Sequence, residues 1–365
     1  MKPGLGRNSA FTGLVCGLLL GLLVSGCATY DRKGLAPAAA AEIEATRVRR
    51  EFNPASDLRQ KIISLDPEHV TAQDVQQVLS RCPAPRIINI HGGIYPVHRK
   101  MISFSKFLIG MGYPGASITN PGDGTYTFSC YERSAMIAGV IAWYYEREGL
   151  RPMMVGHSQG GFQVVKVLRK LAAPPSTKLH VWNPLTWQEE PACDFLDPLT
   201  GIRRPVVGLT LPFASATAAG GLTRLLPNQW DMFGRLRAIP DSVEDFSGFF
   251  KGLDPLGGDF LGYGPANHFY PLAHASVRNI RLPASYVHRA IPDTMHLLKS
   301  KQARDWIDAY HPANAHLSSP TTDIEPDANG KNILWASDMW FAIKKHWVLE
   351  LQRFLRAKTR LETNL

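Results

Sequence analysis

The sequence predicts an α/β fold with a mostly parallel central sheet and helices on both faces. Short apolar runs alternate with longer segments of helical periodicity, which is typical of parallel strands joined by helices. Several of these runs end in glycine or polar residues, where connecting turns are expected. The chain has 365 residues, of which 45% are apolar and 19% charged, so it has ample material for a core. This composition excludes a disordered or fibrous protein.

The predicted elements follow a helical segment at 42–85, where Thr71 is a candidate N-cap. Buried or half-buried strands are predicted at 86–90, 115–119, 152–155, 178–182, 205–211 and 284–288. Helices are predicted at 99–111, 131–148 and 161–171. The main α/β domain is therefore expected to span 86–310.

Three later segments break the alternation. Residues 212–270 are rich in glycine, proline and aromatic residues, and from Ala214 to Phe250 they either form an apolar cap or fill the core. Residues 311–336 resemble a surface linker. Residues 337–365 are predicted to form an amphipathic, basic helix, which either packs on the domain or lies on a membrane surface. Its apolar face carries Trp340, Ile343, Trp347, Leu351 and Phe354.

The N-terminus has the features of an export signal. Lys2 and Arg7 precede an apolar stretch at 11–24, which is too short for a membrane span of about 20 residues. The stretch ends in Val24-Ser25-Gly26-Cys27, which resembles the bacterial lipobox, although Val stands where Leu is usual. That resemblance implies a signal peptide at 1–26, palmitate-type acylation of Cys27 and a tether at 27–41. The alternative is an ordinary signal peptide with a chance cysteine.

The net charge of the chain and the residue after Cys27 bear on whether the protein meets a membrane, and on which one. The formal charge is +9, and removal of 1–26 lowers it to +7 because Lys2 and Arg7 leave without any acidic residue. An anionic lipid surface and a solvated basic face explain this charge about equally well. Nucleic acid is not an expected partner, since no basic run or nucleic-acid-binding motif occurs. By the lipoprotein resemblance, Ala28 after the cysteine implies the outer membrane of a double-membraned bacterium.

Three cysteines remain after Cys16 and Cys27 are set aside, which permits at most one internal disulfide bond. Cys130 and Cys193 both follow predicted strand ends, so they form the preferred pair, with Cys82 left over. Three free thiols are the alternative.

The run Gly156-His157-Ser158-Gln159-Gly160-Gly161 carries the strongest chemical signal. It stands between a predicted buried strand and a predicted helix, where flanking glycines allow a sharp turn that exposes a serine side chain. This motif in this context resembles the nucleophile elbow of the α/β-hydrolase superfamily, in particular its lipases and esterases. The resemblance covers roughly 86–310 and implies an inserted cap at 212–270.

The same resemblance implies where a developing negative charge would be held. His91-Gly92-Gly93 ends a predicted strand, as the oxyanion loop does in that family. The main-chain N–H of Gln159 and one from Gly92, Gly93 or Ile94 are therefore the expected donors.

A serine nucleophile needs a histidine base and an orienting carboxylate, which follow it in the family order Ser, Asp, His. The preferred base is His296, because it follows the predicted strand 284–288 and precedes a helix. His288 would lie inside that strand, whereas His268 and His274 fall in the irregular region.

The carboxylate is less clearly marked. Asp254 follows an apolar stretch and precedes a turn, which suits an acid at a strand end, and Asp259 is the alternative. Asp293 is too close to His296 in sequence to match the family pattern. Less favoured candidates are Asp231 and Asp241.

These residues predict a serine hydrolase acting on carboxylic esters or lipids, with no metal or cofactor. An acyltransferase, thioesterase or peptidase on the same fold is an alternative, because the elbow defines the chemistry and not the acceptor. A non-catalytic binding lipoprotein of the envelope is a further alternative.

Overall fold

The structure is a computed structural model that describes residues 51–219, 227–232, 234–259, 268–314 and 331–363. Six strands form its central sheet, and every neighbouring pair is parallel. In chain order they are β1 (Ile87–His91), β2 (Phe128–Ser129), β3 (Met153–His157), β4 (Leu211–Thr217), β5 (Val243–Lys251) and β6 (Ser276–Leu282). Across the sheet the order is β2, β1, β3, β4, β5, β6.

The described helices surround this sheet. They are α1 (Ser56–Ser64), α2 (Ala72–Gln77), α3 (Tyr95–Gly110), α4 (Ser134–Glu148), α5 (Gln159–Leu171), α6 (Lys301–Ala309) and α7 (Ile333–Thr363). Two short antiparallel pairs join Trp182–Asn183 with Gln188–Glu189 and Asp194–Leu196 with Arg203–Pro205. A parallel pair joins Ala238–Ile239 with Tyr270–Pro271.

The sheet divides the core into two layers. In β3, Met153 and Val155 lie in the layer built with α3 and α7, whereas Met154 lies in the layer built with α4 and α5. Alternate side chains of one strand therefore meet helices on opposite faces, which explains why β1 and β3 are mostly apolar and buried on both faces. The predicted α/β class, with a parallel sheet covered on both faces, is confirmed.

Two predicted strands are not part of this sheet. Residues 115–119 contain a 3-10 turn at Gly115–Ser117. The next strand of the central sheet is β2, which begins only at Phe128. At 178–182 only Trp182 is in a strand, and it pairs outside the central sheet. Both segments are short and mixed in character, so tertiary packing decides their conformation.

Two other strands are displaced from their predicted positions. β4 begins at Leu211, where the predicted strand 205–211 ends. β6 ends at Leu282, before the predicted strand 284–288 begins. β6 has the sequence SVRNIRL and is largely exposed because it forms the edge of the sheet, so it lacks an apolar run that could mark it.

The predicted cap at 212–270 is wrong in its extent, because β4 and β5 lie within that range and belong to the central sheet. Within the segment from Ala214 to Phe250 that was predicted to form an apolar cap or fill the core, Trp230 is exposed and Met232 is buried. Four other apolar residues of this segment, Leu222, Leu225, Leu226 and Phe233, lie outside the described residues.

The C-terminal helix packs on the domain and does not present its apolar face to a membrane. α7 begins at Ile333, inside the predicted linker, and all five residues of its predicted apolar face are buried. Trp335 Nε1 donates a hydrogen bond to Thr217 Oγ1 (2.9 Å), and Trp347 Nε1 donates to the Pro83 carbonyl (2.9 Å). α1 lies against the same helix, so both ends of the described chain share one core layer.

The preferred Cys130–Cys193 disulfide bond is not formed, and Cys82, Cys130 and Cys193 are all free. Burial raises the pKa of the Cys82 thiol to about 12 and also raises that of Cys130. Within the described ranges no helix is both long enough and apolar enough to span a bilayer. The signal peptide, Cys27 and the tether lie outside those ranges.

A buried carboxylate joins α7 to the sheet. Glu350 is 1% exposed, and its Oε1 accepts hydrogen bonds from Arg151 Nη2 (2.7 Å) and Arg353 Nε (3.1 Å). The main-chain N–H of Arg151 donates to its Oε2 (2.8 Å). Burial raises the pKa of Glu350, but the two guanidinium groups outweigh this effect and hold the pKa below its ordinary value.

We expect Glu350→Gln to lower the free energy of unfolding by about 3 kcal/mol, because it removes a buried charge that pairs with Arg353 and is one of the two carboxylate partners of Arg151. Urea unfolding at pH 7 measures this loss, and Glu362→Gln, at the exposed end of the same helix, is the matched control. Since the folded pKa is lowered, the contribution of Glu350 is complete above its unfolded value near 4.3 and is lost as pH falls further. A difference between the two proteins that did not shrink at low pH would contradict this account.

Candidate active site

Ser158 occupies the sharp turn between β3, which ends at His157, and α5, which begins at Gln159. Its backbone angles are φ 56° and ψ −122°, a combination that residues with a Cβ rarely adopt. Such strain is retained where the surrounding structure enforces it, often at functional sites. The turn directs the Ser158 side chain to the carboxyl end of the sheet.

Two glycines of the motif permit this turn. A Cβ on Gly160 would lie 2.1 Å from the Ile90 carbonyl oxygen, so α5 approaches the β1 backbone without any intervening side chain. A Cβ on Gly156 would lie 2.3 Å from the carbonyl oxygen of Gly160. Both distances are far below van der Waals contact, so larger residues would push the helix off the sheet.

His288 and Asp254 complete a chain of hydrogen bonds that starts at Ser158. Ser158 Oγ lies 3.0 Å from His288 Nε2, and His288 Nδ1 lies 2.7 Å from Asp254 Oδ2. The carboxylate accepts only, so Nδ1 carries the proton, and Nε2 is left to accept a hydrogen bond from the serine hydroxyl. His288 and Asp254 are both buried, which strengthens these hydrogen bonds.

The prediction that His296 is the partner of Ser158 is wrong. His296 lies in the 3-10 turn Met295–Lys299, and its Nε2 donates to the Lys331 carbonyl (3.0 Å). The error comes from the displaced strand: β6 ends at Leu282, so the histidine that follows the last strand is His288. His288 lies in a 3-10 turn rather than inside a strand.

Local geometry holds the Asp254 carboxylate. Leu253 before it has φ 52°, a second strained residue, and the N–H of Asp259 donates to the Asp254 carbonyl (2.8 Å). A Cβ on Gly257 would lie 2.4 Å from Asp254 Oδ2, so this turn requires glycine. Of the two predicted candidates, Asp254 is therefore the one whose side chain contacts His288.

Three side chains from elsewhere in the chain fix the segment that carries His288. His157 Nε2 donates to the His288 carbonyl (2.8 Å), and burial holds the pKa of His157 well below its ordinary value, so it stays neutral. Asn332 Nδ2 donates to the carbonyls of Ala290 (2.8 Å) and Asp293 (3.1 Å). Ser103 Oγ accepts from the N–H of Thr294 (3.2 Å). No local pattern in the sequence marks these three supports.

The predicted oxyanion segment lies against Ser158. A Cβ on Gly92 would lie 3.1 Å from Ser158 Cβ, and one on Gly93 would lie 2.2 Å from Gln159 Oε1. Tyr131 Oη donates to the Gly93 carbonyl (2.9 Å), and Ile94 follows as the residue before α3. As the first residue of α5, Gln159 has an N–H without a partner in the helix, close to the serine side chain.

The site stands at the carboxyl ends of the strands. Ser158 follows β3, Asp254 follows β5 and His288 follows β6. From the central strand β1 the chain passes to β2 on one side and then to β3 on the other, which makes the β1–β3 boundary a topological switch point. In open parallel sheets ligands bind in the crevice at such a point.

We expect Ser158→Gly to raise the free energy of unfolding by about 1 kcal/mol, because glycine relieves the strained φ and ψ at a small entropic cost. Ser158→Ala is the matched control, since it loses the same hydroxyl but keeps a Cβ. Chemical denaturation of the three proteins measures the effect. Equal stabilities of the glycine and alanine variants would show that the turn stores no strain.

No protein-family model, no curated protein and no solved structure matches this chain.

Proposed function

We propose that this protein is a serine hydrolase of the α/β-hydrolase type that cleaves carboxylic esters, with lipase- or esterase-like specificity. The observation that carries the proposal is the hydrogen-bonded series Ser158, His288, Asp254. A serine hydroxyl becomes an effective nucleophile when a histidine accepts its proton and a carboxylate orients that histidine. The three residues also follow one another in the chain order of that superfamily.

In the proposed reaction Ser158 Oγ attacks the ester carbonyl carbon while its proton passes to His288 Nε2. Asp254 stabilises the imidazolium that forms and keeps the ring oriented. The N–H of Gln159 and one from Gly92 to Ile94 hold the negative oxygen of the tetrahedral intermediate. Collapse of the intermediate expels the alcohol, which takes the proton from His288 and leaves an acyl-Ser158. Water, activated by the same histidine, then releases the acid and restores the serine.

Exposed apolar side chains around the site support a substrate with an apolar part. Leu253 and Val287, which adjoin Asp254 and His288, are 67% and 41% exposed. Tyr95 and Tyr131, beside the segment that contains Gly92 and Gly93 (the glycine loop), are 61% and 50% exposed. Large apolar residues gathered at the surface commonly mark a binding site.

A groove of about 490 Å³ begins at Tyr95, next to the glycine loop, and continues along α3 towards Met295. Ile102 and Pro96 contribute apolar surface, and Arg99 and Lys106 contribute charge at its border. This volume is in the range of small-molecule sites, and its walls suit an acyl chain with a polar end.

An acyltransferase, thioesterase or peptidase would use the same acyl-enzyme and differ only in the bond cleaved or the acceptor. A purely binding lipoprotein is less well supported, because the strained backbone at Ser158 costs stability that a scaffold has no reason to spend.

We also propose that the chain is a lipoprotein anchored through an acylated Cys27, in the outer membrane of a double-membraned bacterium. The supporting observation is the export signal ending in Val24-Ser25-Gly26-Cys27. Several acyl chains on one cysteine hold a protein at a bilayer far more firmly than a single chain does.

We expect a fluorophosphonate probe to label the purified protein, with labelling abolished in Ser158→Ala and slowed about 10³-fold or more in His288→Ala. His296→Ala is the control and should label like the parent protein, since His296 does not contact Ser158. In-gel fluorescence measures the rate, and p-nitrophenyl esters of increasing chain length then define the acyl preference.

Failure of the folded parent protein to react would overturn the hydrolase proposal and favour the binding lipoprotein. Loss of labelling in His296→Ala but not in His288→Ala would overturn the assignment of the base. Circular dichroism of each variant separates these outcomes from misfolding.

For the anchor, we expect radioactive palmitate to be incorporated into the protein in a bacterial host and to be lost in Cys27→Ala. Cys16→Ala removes a cysteine of the signal peptide and should leave labelling intact, because that residue is cleaved away before acylation is complete. Equal labelling of both variants would contradict the assignment of Cys27.

A further inference from the structure

A second cleft lies at the end of the sheet opposite to Ser158. It has a volume of about 620 Å³. Arg151 and Thr210, which line it, immediately precede the amino ends of β3 and β4, and Glu244 lies at the start of β5. Parallel strands place their two ends at opposite edges, so this cleft is separate from the candidate active site.

All the cationic residues that line this cleft in the described structure are arginines. They come from three distant parts of the chain and are Arg151, Arg204, Arg353, Arg356 and Arg360. Leu199, Leu209 and Leu361 supply apolar surface beside them. We call this feature the arginine cleft.

The carboxylates of the arginine cleft are already engaged. Asp197 accepts from Arg204 Nη1 (3.1 Å) and Tyr145 Oη (3.1 Å), and Glu244 accepts from Arg151 Nη1 (2.6 Å). Glu350 lies behind the wall of the cleft and accepts hydrogen bonds from Arg151 and Arg353. Three carboxylates thus face five guanidinium groups, which leaves an excess of two positive charges.

Arg356 and Arg360 carry that excess. They stand four residues apart on α7, so their side chains share one face of the helix with Arg353. Both are exposed, and neither guanidinium has a hydrogen bond or ion pair with the described residues. These two guanidinium groups are therefore available to an anion that enters the cleft.

We propose that the arginine cleft binds a phosphate ester, with Arg356 and Arg360 as its main ligands. The planar guanidinium fork matches the oxygens of a phosphate group and binds it through paired hydrogen bonds. The Glu350 network fixes the Arg353 side chain at the wall, and the leucines can accommodate the organic part of the ester. The volume accepts a group of the size of a glycerophosphate.

The bound phosphate could belong to a lipid headgroup or to a soluble ester. The position of the first described residues favours the lipid headgroup. Lys358 Nζ donates to the Phe52 carbonyl (3.0 Å), and Arg59 Nη1 donates to Thr359 Oγ1 (2.9 Å). The first described residues therefore run beside the same end of α7. A chain anchored at Cys27, as proposed above, would therefore meet the folded body near the end of α7 that also carries Arg356 and Arg360.

The test compares the full chain carrying Cys27→Ala, which prevents acylation, with the same chain also carrying Arg356→Gln and Arg360→Gln. A second pair, Arg81→Gln with Arg281→Gln, removes two exposed positive charges elsewhere and is the matched control. The probes are glycerol 3-phosphate, by isothermal titration calorimetry, and vesicles of phosphatidylglycerol or of phosphatidylcholine, by co-sedimentation. All measurements use 0.15 M salt, where the Debye length of about 8 Å suppresses distant charge effects.

We expect binding of a phosphate probe to weaken about tenfold or more in Arg356→Gln/Arg360→Gln and to stay unchanged in the control pair. Preference for phosphatidylglycerol vesicles over the free phosphate would identify a headgroup site, and the reverse would identify a soluble ester. Equal weakening in both double variants, or no binding of any probe by the parent, would overturn the proposal. Both positions are exposed, and urea unfolding confirms that the variants fold.

Discussion

The close approach of α5 to β1 is the constraint on which the site depends. Gly160 brings the helix backbone against the Ile90 carbonyl, and Gly156 leaves room for the turn that joins β3 to α5. The same packing places Gly92 against Ser158, so the proposed nucleophile and the proposed oxyanion donors are positioned by one contact. The strained angles at Ser158 follow from the same packing, because the chain must reverse direction within one residue.

A second consequence is that the two ends of the sheet have different electrostatic characters. At the carboxyl end, Asp254 and His288 are buried and bonded to each other, so the pair carries one negative charge while His288 is neutral and none once His288 takes up a proton. At the amino end, guanidinium groups outnumber carboxylates. The sheet thus separates a region suited to proton transfer from one suited to holding an anion.

Local signals in the sequence were sufficient for the central parts of this arrangement. Ser158 and the glycine loop follow β3 and β1, which are recognisable as mostly apolar runs because both of their faces are buried, and Asp254 follows the apolar end of β5. The edge strand β6 is different, because it is exposed and its sequence is therefore polar. No apolar run marks it, so the last strand was predicted too far along the chain, and His296 was predicted as the base in place of His288. The disulfide prediction failed for a related reason, since the distance between cysteines depends on packing that spacing does not encode.

The site is complete only when the side chains that hold the His288 segment are in place. This segment is fixed by His157 from the end of β3, by Ser103 from α3 and by Asn332. Asn332 directly precedes α7, so its hydrogen bonds to the His288 segment depend on the docked final helix. If the chain is exported from its N-terminus, as we propose, it would therefore complete the proposed series of Ser158, His288 and Asp254 last. The proposed hydrolase would then stay inactive until its C-terminal residues had crossed the membrane.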